Sequence, residues 1–153
     1  MPIKRDEFLK PLSRDHHHGL LLCWKIRTGF RKQVEINRIK SYSDWFYKNH
    51  LLPHFDVEEK YVFPILGNDH ELVKKALSEH RKLRRLFEDS DDASKNLGKI
   101  EENLEAHIRF EERILFNEIQ NIASPKELEE MEAKHSETSG TCTVDEWGDE
   151  FWK

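Results

Sequence analysis

Two ten-residue segments of the chain repeat one another. One is His54-Phe55-Asp56-Val57-Glu58-Glu59-Lys60-Tyr61-Val62-Phe63 and the other is His107-Ile108-Arg109-Phe110-Glu111-Glu112-Arg113-Ile114-Leu115-Phe116. Each holds a histidine, then after three residues a Glu-Glu pair, a basic residue and a closing phenylalanine. Residues four apart face the same way on a helix. Each segment therefore offers one imidazole and one carboxylate to the same point in space. Imidazole nitrogen and carboxylate oxygen are metal-ligand chemistry, suited to iron or manganese and open to zinc.

Further candidates lie on either side of this repeat. His80 stands between the two copies, and His16-His17-His18 precede both. The apolar stripes place these groups inward. His107 and Glu111 continue the line of Ile100, Leu104 and Leu115. His54 and Glu58 lead toward Val62 and Ile65, and His80 falls among Val73, Ala76, Leu77, Leu83 and Phe87. Buried, unpaired carboxylates cost several kcal/mol each, so two of them among imidazoles call for a metal cation. His16 follows Leu9 and Leu12 at helical spacing, and His17 precedes Leu20 and Trp24 at helical spacing. Either can be the ligand of the first helix.

The elements that must position these groups are helical. The chain has 153 residues, 37% hydrophobic and 36% charged, with only 6 Gly and 5 Pro. Such a composition suits one helical domain. A first helix is expected from about Ser13, its N-cap, to Thr28, with Leu20, Leu21, Cys23 and Trp24 on its apolar side and Gly29 as the stop. A second runs from about Val34 to Leu66, interrupted and kinked at Pro53. A third spans Asp69 to Asp89 and a fourth begins near Ser94. Ser124-Pro125-Lys126-Glu127 is a capping box that opens a short fifth helix to about His135. Short joins imply an up-down-up-down four-helix bundle, all-α, with a short C-terminal helix and tail. The domain reading is residues 1–135 as the bundle and 136–153 as an acidic, aromatic tail in which Trp147, Phe151 and Trp152 are candidates for docking.

Residues level with each other on antiparallel helices lie equally far from the turn. The midpoint of His54 and His80 is Gly67, and that of His80 and His107 falls between Ala93 and Ser94. Both are turn positions, so the three histidines should be nearly level. Glu59 and Glu112 sit about 100° round the helix from their neighbours and are expected to be solvated or to back the ligands. His50 could reach the site from one turn away. His70 and His135 read as surface or hydrogen-bonded residues, and Phe63 and Phe116 as core.

Other function classes fit less well. A net charge of -5 opposes binding driven by phosphate neutralisation. No apolar run is long enough for a bilayer span, and Met1 to Lys10 lack the apolar centre of a signal peptide. No nucleic acid, no membrane and a cytoplasmic location are the expectations. Cys23 reads as core and Cys142 as part of a polar tail, with no disulfide framework. Glu-x-x-His occurs only at Glu132 and His135, so a ferritin-like ligand pattern is lacking.

Taken together, Asp15-His16-His17, His54 with Glu58, Glu79-His80, and His107 with Glu111 resemble the hemerythrin, or HHE cation-binding, family over roughly Leu12 to Ile122. The resemblance implies a non-haem di-iron centre in a four-helix bundle. It implies that Glu58 and Glu111 bridge two iron ions, and that His16 or His17, His54, His80 and His107 are terminal ligands. Oxygen-carrying members have two histidines four apart on the third helix. Here Ala76 and Arg84 flank His80 at that spacing, so the resemblance implies a position open to water or filled by Glu79 or His50. That shifts the expectation from oxygen carriage toward sensing or binding of oxygen, nitric oxide, peroxide or iron itself. A di-iron enzyme such as a peroxide scavenger or repair factor is the second reading, and a metal-free helical interaction module the third.

Overall fold

Leu12, His16, Gly19, Leu22, Cys23 and Ile26 recur at three- and four-residue steps, and they lie on the side that the first helix buries. In the computed structural model, which describes residues 9–89, 91–139 and 147–153, this helix is α1 (Lys10–Arg31). The readings for the extreme N-terminus and for Cys142 fall outside the described residues. The α1 stripe is rotated from the expected one: Leu20 and Leu21 are half-buried and Trp24 is 44% exposed. Ser13 is not the cap, since α1 begins three residues earlier with Pro11 in its first turn, where the missing N–H costs nothing. Gly29 is not the stop. It lies within the helix, where its missing side chain lets Ile39 and Phe151 pack close: a Cβ there would stand 2.7 Å from Ile39 Cδ1 and 3.0 Å from Phe151 Cε2. The chain turns instead at Gln33, in the left-handed region at φ 57°.

The second helix, α2, spans residues 36–65 and contains two widened, π-type turns, Tyr47–Leu51 and Glu58–Val62, before a tight last turn at Phe63–Ile65. Pro53 does not end it. The widened turn just upstream, in which the Leu52 N–H reaches back to the Tyr47 carbonyl, makes room for the proline ring. Helix α3 (Glu71–Glu88) is capped by His70, whose Nδ1 accepts from the Leu72 N–H at 3.1 Å. Helix α4 covers residues 93–122 with one widened turn, Glu111–Leu115, and is capped by Asp92. The expected box opens α5 (Pro125–Ser139): Ser124 N–H donates to Glu127 at 2.9 Å, and Glu127 N–H donates to Ser124 Oγ at 3.2 Å. α1 and α3 both pack on α4, and α5 lies against α2 and α1. The result is an all-helical four-helix bundle with an added C-terminal helix. No helix of the described residues is long and apolar enough to cross a membrane.

The apolar core comes in two blocks. One gathers Leu22, Ile26, Ile39, Tyr42, Phe46, Leu83 and Leu104. The other gathers Leu12, Val62, Phe63, Val73, Ala76, Leu115, Phe116, Leu128 and Met131. Each of α1 to α4 contributes to both. The docked tail closes the first block: Phe151 is buried, Lys25 Nζ sits 3.9 Å over the Trp152 ring, and Arg38 pairs with Asp149 at 2.6 Å. Core and surface should therefore respond differently on α1. Leu22→Ala, at a fully buried position, should cost about 2–5 kcal/mol in urea unfolding. Trp24→Ala should stay within about 0.5 kcal/mol.

Candidate metal centre

Between the two apolar blocks lies a polar layer. His16, His54, His80, His107, Glu58 and Glu111 are all buried, the two carboxylates at 0% exposure. Each histidine follows its helix's stripe, so folding the apolar faces together delivers all six groups to the axis. Both glutamates open a widened turn: the Phe63 N–H reaches back five residues to the Glu58 carbonyl, and the Phe116 N–H does the same to Glu111. The sequence repeat is thus a repeat of backbone geometry as well.

The Nε2 atoms converge. His54 Nε2 and His80 Nε2 each stand 3.2 Å from Glu58 Oε1. His16 Nε2 is 2.9 Å, and His107 Nε2 3.3 Å, from Glu111 Oε1. The histidines pair across helices, with His16 and His54 Nε2 3.1 Å apart and His80 and His107 Nε2 3.1 Å apart. Two ligand groups result: His16, His54, Glu58 and Glu111, and Glu58, His80, His107 and Glu111, with donor atoms in each group within 4.8 Å of one another. Both carboxylates belong to both groups.

The other face of every ring is fixed. His16 Nδ1 meets Glu112 at 2.8 Å, His54 Nδ1 meets Asp15 at 3.0 Å, His80 Nδ1 meets Glu59 at 2.7 Å, and His107 Nδ1 meets Glu79 at 2.7 Å. Each Nδ1–H donates to a carboxylate, which leaves each Nε2 to face the centre. The pattern is reciprocal. The acid before the histidine on α1 or α3 holds the histidine of α2 or α4. The acid after Glu58 or Glu111 holds the histidine of α3 or α1. Further partners back these acids: Ser13 on Glu112, Arg84 on Glu59 at 3.0 Å, and Lys75 on Glu79 at 3.0 Å.

Placement of the remaining candidates follows. Of the two histidines left open on α1, His16 enters the centre, while His17 is exposed and in neither group. Glu79 and His50 also stand outside both groups; Glu79 serves His107, and His50 lines an adjoining cavity. Arg84 is occupied with Glu59. His135 is a buried partner of Asp15 at 2.6 Å, a link unmarked by the repeat. The acids flanking the ligands had one signal in sequence, the shared acid-histidine pairs Asp15-His16 and Glu79-His80.

The electrostatics demand positive charge. Among the described residues, both oxygens of Glu58 and Oε2 of Glu111 lack an aligned hydrogen-bond donor. A family model described as the hemerythrin HHE cation binding domain matches residues 9–96, more than half of the chain. The chain belongs to the hemerythrin HHE cation-binding family. No curated protein and no solved structure matches it significantly. The matched span of the HHE domain holds His16, His54, Glu58 and His80 but ends before His107 and Glu111. Those two join the set by geometry, completing both groups. Cation binding follows from the family, and the buried histidine–glutamate clusters fit it.

Without a metal, protons must do this work. Burial opposes charge on His54, but Glu58 and Asp15 outweigh it and push the imidazole up to about 10. Burial likewise opposes charge on His107, yet Glu111 and Glu79 raise it to about 9. Burial raises the Glu58 carboxyl, but the surrounding histidines bring it well below its ordinary 4.5. The two signs give a window. Raised histidines stabilise the fold fully below their unfolded value of 6.5 and lose that contribution as pH climbs to about 9–10. The lowered Glu58 contributes above 4.5 and loses its contribution as pH falls. Metal-depleted protein should therefore show its highest urea midpoint between roughly pH 4.5 and 6.5. A midpoint unchanged from pH 6.5 to 9.5 would contradict this charge balance.

Proposed function

We propose that the chain is a non-haem di-iron protein that binds or senses a small ligand: oxygen, nitric oxide or a peroxide. His16 and His54 would hold one iron and His80 and His107 the other, with Glu58 and Glu111 shared by both. The observation that carries this reading is the sharing. Two fully buried carboxylates belong at once to two histidine pairs, and three of their four oxygens lack an aligned donor. A single ion would leave one histidine pair facing carboxylates with nothing between. Nitrogen and carboxylate donors suit iron, and manganese or zinc would use the same atoms.

Bound iron would supply a redox couple and a coordination position for a small ligand. The protein supplies the rest. The four Nδ1–carboxylate bonds fix each ring and raise its basicity toward a cation. Phe55 stacks on His80 with centroids 3.8 Å apart, and Phe116 stacks on His16 at 5.1 Å, which walls the centre from water. A cavity of about 20 Å³, bordered by His16, His54, His107, Phe46, His50 and Leu51, adjoins the first group. It has room for at least one water-sized molecule. Binding and sensing need only such a pocket. Asp15, His18 and His50 line it as well, beside the ligands.

Two measurements test this. Protein purified without added metal or a histidine tag should carry about two irons per chain, the stoichiometry of paired carboxylate sites in bundles. Absence of bound metal even after anaerobic incubation with ferrous iron would sink the proposal. With loaded protein, stopped-flow mixing of the reduced form with nitric oxide, oxygen or peroxide should change the spectrum. His16→Ala should lower iron content by at least one equivalent, whereas His17→Ala should leave it at the wild-type value.

A further inference from the structure

We infer that His135, on the C-terminal helix, is a positioning residue for the metal centre: through Asp15 it fixes the ring of His54, and so couples docking of α5 to metal occupancy. The inference rests on the di-iron reading above.

The chain of contacts is short. His135 Nε2 lies 2.6 Å from Asp15 Oδ2, and His54 Nδ1 lies 3.0 Å from the same oxygen. One carboxylate oxygen thus accepts two N–H groups, one from a ligand ring and one from a helix outside the four-helix bundle. Asp15's counterpart in the reciprocal pattern is Glu79. It takes its backing from Lys75, one turn back on its own helix. Asp15 draws instead on a separate element, so its orientation depends on whether α5 is in place.

The attachment of α5 is modest. Among the described side chains of α5, Leu128, Met131 and His135 are the buried ones, and they fall on one face at helical spacing. Two apolar anchors and one polar one make a helix that can open locally without global unfolding. The polar anchor is the one that touches the centre. If docked α5 strengthens the hold of His54 on a cation, a cation held by His54 must strengthen the docking of α5 by the same factor. Metal loading then has a readout at the protein surface, namely the order of residues 125–139.

The test uses the full chain, loaded anaerobically with two equivalents of ferrous iron. Iron release to a chelator and amide hydrogen exchange over residues 125–139 are followed in wild type, His135→Ala and His135→Gln. Outer partners of metal ligands are worth about 10–100-fold in affinity, and His135 is one bond further out. His135→Ala should therefore release one of its two equivalents about tenfold faster, the other at the wild-type rate. Iron should protect residues 125–139 in wild type and lose that effect in His135→Ala. His135→Gln keeps an N–H donor and should fall between the two. Should His135→Ala fail to fold, the glutamine variant decides by itself: weaker iron-dependent protection than wild type supports the inference, and equal protection overturns it. Wild-type release of both equivalents from His135→Ala, equal acceleration of both, or exchange in wild type indifferent to iron would each overturn it. Those outcomes leave two irons bound and the di-iron reading intact. A wild type that takes up no iron would remove both.

Discussion

Glu58 and Glu111 carry two carboxylates into the middle of a helical bundle, at full burial and against four imidazoles. In so little water a lone carboxylate is costly by several kcal/mol, and facing imidazole lone pairs repel. Both problems have one solution, positive charge at the points where the Nε2 atoms and carboxylate oxygens meet. Cations or protons can provide it. Every other feature of the layer follows from that need. The rings are held from behind by Asp15, Glu59, Glu79 and Glu112, so that their remaining nitrogens cannot turn away. The aromatic rings of Phe55 and Phe116 cover the histidines and keep the local dielectric low.

Six polar groups reach one place because the backbone repeats itself. The widened turns at Glu58–Val62 and Glu111–Leu115 insert extra arc immediately after each carboxylate. With close to four and a half residues to that turn, the buried face shifts. Val62 with Phe63, and Leu115 with Phe116, become adjacent buried pairs. The carboxylate can then point at the axis while the next turn still fills the core. A regular helix would have buried Val62 with Ile65, and Ile65 is only half-buried.

This explains what the sequence disclosed and what it withheld. The helices, the level of His54, His80 and His107, and the pairing of His54 with Glu58 and His107 with Glu111 follow from periodicity and turn positions, which are local properties. The widened turns have no residue signature, so the sequence marked only Pro53 and not the turn at Tyr47–Leu51 that lets the helix run on through it. Nor did periodicity choose between His16 and His17. Leu9 and Leu12 argued for the first and Leu20 and Trp24 for the second. The choice was made by packing of α1 on α4, where Gly19 admits Ile108 and leaves Trp24 outside. The link from His135 to Asp15 spans 120 positions of sequence. No local pattern announces it, although His135 stands where the stripe of Leu128 and Met131 calls for an apolar residue.

A core divided by a charged layer cannot draw its stability from the division. Each apolar block must hold itself together, and each has been given a separate clamp from the C-terminal part of the chain. Residues 147–153 close the block of Tyr42, Phe46 and Leu22, through Phe151 and Trp152. Helix α5 closes the block of Phe63, Val73 and Phe116, through Leu128 and Met131. The four bundle helices run through both blocks, and the polar layer, with six inward groups from all four, lies where the blocks meet. A cation there acts as the cross-link between halves, since it binds the folded arrangement and has no equivalent site in the unfolded chain. Loading would therefore add to the stability that the metal-free fold already has. The four separate carboxylates behind the histidines would keep that cross-link in register.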